Sequence, residues 1–316
     1  MQFRNMKEEL AITKFKKKIE REIEEYFEDK GFSIIEPKTF QDYSDCIQSG
    51  LIKNPSETVK VLGGDSKIYI LRPDITTNLL GQIFAKWERE APLKIYYNSK
   101  IYRNGPRGEI LQNYQMGIES LGDDEFKADK EIIEMALSVM SSLGEAYLIE
   151  LGSSLFLDSF FREIKLERGD EKEIRKLISK KNYHGLKVKL KLLKLENTIL
   201  DDIFRMQGNI EEVIDIAQTH RINEGMRSAL ESLTLLGKAF NSKDTKNKIK
   251  VDLSMVSELD YYDGIIFRGY CISLPTKILS GGRYDKSTAK YGAKTAAIGF
   301  MIDMDLVTQV RIKELK

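Results

Sequence analysis

Cysteine, histidine and proline are all scarce in this chain, and neither sign of charge is in excess. Cys46 and Cys271 are its only cysteines, too few for a disulfide framework or a cysteine zinc site. The two histidines, His184 and His220, lie in charged sequence of helical character. That setting fits surface histidines and argues against a Ser-His-Asp triad, a Cys-His pair or a histidine-rich metal site. Lysine plus arginine total 50 and aspartate plus glutamate 49, so the formal net charge is +1. A balanced chain offers no electrostatic case for nucleic acid or an acidic membrane surface. No stretch approaches the ~20 apolar residues of a spanning helix. The opening M-Q-F-R-N-M-K-E-E-L also lacks the apolar segment of a signal peptide. The expectation is a soluble cytoplasmic protein with reduced thiols, no metal and no membrane partner.

What is present is a chain of 316 residues, 41% hydrophobic and 31% charged. That suffices for one large core, or for two folding units with the smaller one inserted. From about Lys7 to Lys30, Leu10, Phe15, Ile19, Ile23 and Phe27 recur at helical spacing, and Gly31 stands where a helix would stop. F-S-I-I-E-P is a short strand closed by Pro37, and V-K-V-L-G-G-D-S-K-I-Y-I-L-R-P a hairpin turning at G-G-D. A helix is expected from Thr76 to about Glu90, capped by the threonine, with Leu79, Leu80, Ile83 and Phe84 inward. Strands follow over L-K-I-Y-Y-N-S-K-I-Y-R and from Ile110 to Leu121, then a helix from Asp124 to Leu143 and a strand from Ala146 to Leu151. From about Leu155 to Phe240 the pattern is almost wholly helical, with no clear strand, before strands return at Ile249. Antiparallel hairpins without repeated βαβ units favour α+β over a doubly wound sheet. The helical block reads as an insertion: residues 156–245 within a core of 1–155 and 246–316.

Four segments carry polar groups where chemistry is done. L-R-P-D-I-T-T places Asp74 and Thr76 at a strand-to-helix junction, where either can cap orphan amides. On the strand that follows Arg103 and the loop N-G-P-R-G-E, the two-residue period puts Asn113, Gln115, Gly117 and Glu119 on one face. An amide, a gap and a carboxylate could hold an ammonium or imidazole group; an exposed sheet face would look the same. S-E-L-D-Y-Y-D-G sets Tyr261 and Tyr262 ahead of an apolar run, where Asp263-Gly264 is also a hairpin-turn signal. L-S-G-G-R-Y-D pairs two glycines, which permit close backbone approach, with Arg283.

Together, in this order and spacing, these segments resemble the catalytic core of histidyl-tRNA synthetase, a class II synthetase. I-I-E-P resembles the end of motif 1, which forms that family's dimer interface. I-Y-R and Q-N-Y-Q-M-G-I-E resemble motif 2, and A-A-I-G-F-M-I-D-M-D-L resembles motif 3. L-D-Y-Y and S-G-G-R-Y-D resemble the two histidine-specific motifs. The resemblance covers nearly the whole chain. It implies an antiparallel sheet flanked by helices, and a histidine pocket made by Asp74, Thr76, Arg103, Gln115, Glu119, Tyr261, Tyr262 and Arg283.

The departures from that pattern fall on cations. Ser257 and Glu258 stand where the synthetase has an Arg-Gly pair with a catalytic arginine. Asp305 and Leu306 replace the Glu-Arg that ends motif 3, and Glu109 lies near a phosphate-binding arginine position in a shortened motif 2 loop. Adenylyl transfer depends on cations set against developing negative charge. Each charge-assisted hydrogen bond contributes roughly 1.5–3 kcal/mol, so losing two or three implies an inactive synthetase with no catalytic residue. The chain also ends soon after motif 3, without an anticodon-binding domain, so no tRNA partner is expected. A core of this kind resembles the regulatory subunit of ATP phosphoribosyltransferase. That resemblance implies a motif 1 homodimer, assembly with the short catalytic subunit of the first step of histidine biosynthesis, histidine as effector, and no cofactor. The alternatives are a truncated histidyl-tRNA synthetase-like enzyme and a stand-alone histidine sensor.

Overall fold

The computed structural model describes residues 5–48, 55–89, 91–242, 244–245, 247–257, 261–292 and 294–312. The chain divides into two compact units: Met1–Asp123 with Tyr291–Ala293 and Gly299–Lys316, and Asp124–Lys290 with Lys294–Ile298.

The first unit opens with helix α1 (Met6–Asp29), capped by Asn5, whose Oδ1 accepts from Glu8 N at 2.9 Å. Its buried face is Phe15, Ile19, Ile23 and Phe27, the four-residue spacing seen in the sequence, while Leu10 of the same series is exposed. Gly31, at φ +81°, takes the left-handed conformation that ends the helix. Strand β1 (Ser33–Ile34) follows, then β2 (Phe40–Asp42), α2 (Tyr43–Gln48), β3 (Lys60–Leu62) and β4 (Ile68–Leu71). Strands β3 and β4 form the expected hairpin, and β2 pairs antiparallel on the other side of β4.

Helix α3 (Thr76–Phe84) differs from the expectation at both ends. Ile75 holds the cap position, and it is Asp74 Oδ1 that accepts from Thr77 N and Thr77 Oγ1, both at 2.8 Å. Thr76 is therefore not the cap. The helix stops at Phe84, and Glu90 lies outside the described residues. Strands β5 (Leu93–Asn104) and β6 (Ile110–Leu121) then pair antiparallel without a break, from Leu93↔Leu121 to Asn104↔Ile110, and β1 lies parallel to β5. The aromatic rings of Phe27, Tyr96 and Phe300 meet at 5.9 and 6.2 Å in the core of this unit.

The second unit begins with α4 (Glu125–Ser141), capped by Asp124, and β7 (Tyr147–Ser153). Helices α5 (Ser154–Ile164), α6 (Arg168–Ser179) and α7 (Tyr183–Leu192) follow. After the two-residue strand β8 (Gln207–Gly208) come α8 (Ile210–Gln218) and α9 (Glu224–Ala239). The helical block is thus not free of strand: β8 pairs antiparallel with β9 (Ile249–Asp252). A two-residue strand is too short to set up a period in the sequence. Strand β9 runs parallel to β7, which pairs antiparallel with β10 (Ile265–Cys271), and β10 pairs with β11 (Lys277–Arg283).

Asp263-Gly264 does not turn a hairpin. Asp263 N donates to Arg283 O at 2.9 Å, and Gly264 O accepts from Ser154 N at 2.9 Å, so the pair feeds straight into β10. A Cβ on Gly264 would lie 3.0 Å from the Arg283 side chain, so the glycine serves close approach. After α10 (Asp285–Thr288), strand β12 (Ala297–Asp303) passes from the second unit into the first, where α11 (Met304–Arg311) ends the described chain.

Candidate functional site

The first unit holds five of the expected pocket residues. Glu119, on β6, is 3% exposed, and a carboxylate so buried requires polar compensation. Thr76 Oγ1 supplies one donor, at 2.6 Å from Glu119 Oε1. The first residue of α3 is thus tied to the sheet by the side chain expected to bind an amino group or imidazole. Gln115, two pleats along the same face, is also buried and donates through Nε2 to Asn113 Oδ1 at 2.7 Å. Asn113 donates in turn to Asp303 Oδ2 at 2.6 Å. The gap between Gln115 and Glu119 is structural, because a Cβ on Gly117 would collide with the Tyr97 hydroxyl and the Phe300 carbonyl. Gly299 works the same way from β12, where a Cβ would overlap the Glu119 carboxylate. Asp74 is engaged in capping α3, and the exposed Arg103 donates to Pro73 O from Nε at 3.1 Å and Nη2 at 2.9 Å.

The other three lie in the second unit. Tyr261 and Tyr262 precede β10 and do not alternate as strand residues would. Their ring centroids are 4.7 Å apart, and each also meets Tyr284, at 5.9 and 6.5 Å. Such tilted aromatic clusters combine apolar surface with hydroxyl tips. Arg283 is buried, with Nη2 2.6 Å and Nε 3.0 Å from Asp129 Oδ1, and Nη1 2.9 Å from Asp285 Oδ1. Burial pushes the Asp129 carboxyl up to about 6, against the opposing pull of Arg283. Arg283 therefore braces β11 against α4, and Gly264 packs closely against its side chain.

Three of the positions that depart from the synthetase, Glu109, Asp305 and Leu306, have a local structural task. Glu109 closes the β5–β6 loop, with Oε2 accepting from Arg107 N at 2.9 Å. Leu306 lies in the first turn of α11, where its amide donates to Asp303 Oδ1 at 3.0 Å. Its neighbour Asp305 is neutralised by Lys16 of α1 at 2.6 Å, a partner that its sequence neighbours gave no hint of. Ser257 lines a pocket of about 210 Å³ in the second unit, while Glu258, Leu259 and Asp260 lie outside the described residues. Among the described residues no group of three or more metal-ligating side chains is assembled, and no helix is long and apolar enough to cross a membrane.

The sequence model of the family described as histidyl-tRNA synthetase matches residues 9–307. The ATP phosphoribosyltransferase regulatory subunit of Clostridium botulinum (strain 657 / Type Ba4) is 33% identical over 301 residues, 91% of this chain and 70% of that protein. The chain belongs to the histidyl-tRNA synthetase family, among the ATP phosphoribosyltransferase regulatory subunits. Solved structures share its fold, two of them named for ATP phosphoribosyltransferase. One is a Bacillus halodurans ATP phosphoribosyltransferase regulatory subunit/histidyl-tRNA synthetase, with TM-score 0.83 at 24% identity over 94% of this chain and 79% of that one. The other, at TM-score 0.68 and 17% identity, is a chain of the ATP phosphoribosyl transferase complex of Thermotoga maritima, with 96% and 98% covered. The α+β architecture of antiparallel sheet and flanking helices is accordingly the class II synthetase fold of this family.

Proposed function

We propose that the chain is a non-catalytic regulatory subunit. It assembles with the short ATP phosphoribosyltransferase chain, supports formation of phosphoribosyl-ATP from ATP and phosphoribosyl pyrophosphate, and conveys histidine feedback. The observation that carries this reading is the 33% identity to the Clostridium botulinum regulatory subunit across 91% of the chain. The local chemistry supports it. Glu119, Thr76 and Gln115 keep the amino-acid side of a synthetase pocket, while Ser257, Leu306 and Glu109 put no cation where triphosphate would need one. Without that charge stabilisation adenylation fails, and a pocket that only recognises is suited to an effector.

In the same reading the chain works in the cytoplasm without tRNA or a cofactor and forms a homodimer through the motif 1 region. The helical insertion of residues 156–245 is carried by a core of 1–155 and 246–316. Regulation requires histidine to bind two assembly states unequally, since tight binding alone shifts nothing.

Reconstitution with a short catalytic chain tests the proposal. The expected result is phosphoribosyl-ATP synthesis that rises on adding this chain and falls on titrating histidine. Gln115→Ala and Glu119→Ala should each weaken the histidine response, and unchanged sensitivity in both would move the effector site elsewhere. Histidine-dependent ATP–pyrophosphate exchange by the purified chain would instead establish a synthetase-like enzyme and end the regulatory reading. Failure to form a complex would favour a stand-alone sensor.

A further inference from the structure

The pocket beside Ser257 has a second wall that the synthetase resemblance does not account for. Asp158 of α5 and Arg175 of α6, both from the helical block, line it, with Arg175 Nη2 2.8 Å from Asp158 Oδ1. Arg175 Nε bonds Glu171 Oε1 at 2.8 Å, and its guanidinium lies 4.6 Å from the centre of the Phe161 ring. Two carboxylates and a ring face hold the guanidinium in one orientation, so little side-chain entropy remains to be lost when a ligand docks. Among the described residues, Arg175 Nη1 and Asp158 Oδ2 carry no hydrogen bond. The pair thus leaves one donor end and one acceptor end without a protein partner among those residues.

One guanidinium between two carboxylates leaves an excess of one negative charge, which disfavours phosphate or a lone carboxylate. A ligand with adjacent ammonium and carboxylate groups matches both ends through charge-assisted hydrogen bonds. Leu157, Met255 and Val256 give the pocket an apolar side, and Ser154, Ser257 and Tyr262 give it hydroxyls. Its volume of about 210 Å³ falls below the roughly 300 Å³ at which drug-sized sites begin, which limits the occupant to a small metabolite.

We propose that this pocket binds a zwitterionic α-amino acid, with Arg175 Nη1 on the carboxylate and Asp158 Oδ2 on the ammonium. The site lies wholly within the second unit and needs neither Glu119 nor Gln115. It does not depend on the regulatory reading, and the test requires no catalytic partner.

Calorimetric titration of the full chain with L-histidine, L-leucine and L-serine is the first arm. The same titration with histamine and imidazole propionate, which lack the carboxylate and the ammonium respectively, is the second. At least one amino acid should bind to a site that persists in Gln115→Ala, and both truncated analogues of histidine should bind that site at least tenfold more weakly than histidine if histidine is its ligand. Arg175→Gln and the pocket-filling Val256→Phe should each weaken the site tenfold or more, with Arg175→Lys intermediate. The wild-type analogue series stands even if a variant misfolds. Absence of amino-acid binding up to millimolar concentration, equal affinity for an amino acid and its decarboxylated amine, or full affinity in both Arg175→Gln and Val256→Phe would overturn the proposal.

Discussion

Thr76 and Glu119 are 43 positions apart in sequence and joined by a 2.6 Å hydrogen bond. Replacing Thr76 by valine keeps the shape and removes one donor from a buried carboxylate, a change that costs roughly 1–3 kcal/mol. Urea unfolding of Thr76→Val should therefore show a lower midpoint at unchanged slope, and an unchanged midpoint would mean that Glu119 is compensated elsewhere. Asp129 offers a test by pH. Its carboxyl titrates near 6 in the folded chain, above its ordinary 3.8, so the folded state holds this proton more tightly than the unfolded state. Its contribution is fully present below the unfolded value and is lost as pH rises through the folded one. Compared with Asp129→Asn, the wild type should lose stability progressively between about pH 4 and 6, read as the difference in unfolding free energy at each pH. A constant difference across that window would refute the shift. At this scale the sequence disclosed the face of Asn113, Gln115, Gly117 and Glu119, because period two is local. It could not disclose Lys16 beside Asp305, or Gly299 making room for Glu119, because those neighbours meet only through the fold.

Elements with a long period were the legible ones. α1 follows its apolar residues, Phe15 to Phe27, to within a residue of the expected ends, and β5–β6 pair throughout as alternation and the intervening loop imply. Junctions were not, since Asp74 and Thr76 are both competent caps and only the Glu119 contact, which takes the Thr76 hydroxyl, decides between them. The same competition makes α11 informative. Asp303 Oδ1 accepts from the amides of Asp305 and Leu306 at 3.0 Å each, and Oδ2 from Asn113 at 2.6 Å, so one side chain caps the helix and anchors β6. Loss of a cap of this type costs about 0.5–2 kcal/mol. Asp303→Ala should reach or exceed the upper end, because Asn113 loses its acceptor as well. Asp303→Asn, which keeps an oxygen for the helix amides, should recover most of the loss, as measured by chemical denaturation; equal loss in both variants would assign the effect to the Asn113 contact alone.

For the whole molecule, the regulatory proposal makes a thermodynamic demand that holds whichever pocket histidine uses. If histidine changes the affinity of this chain for the catalytic partner by some factor, the partner must change the affinity for histidine by the same factor. A tenfold coupling corresponds to about 1.4 kcal/mol, within reach of one or two hydrogen bonds made in only one assembly state. The two measurements are independent: histidine affinity of the chain alone and within the complex, and partner affinity with and without saturating histidine. The expected outcome is two equal ratios, both different from one. Equal ratios of one, alongside histidine inhibition of the complex, would place the effector on the catalytic chain and leave this subunit an activator only. Ratios that survive in Glu119→Ala and collapse in Arg175→Gln would locate the coupling in the second unit, on the helical block rather than on the histidine pocket proposed around Glu119 and Gln115.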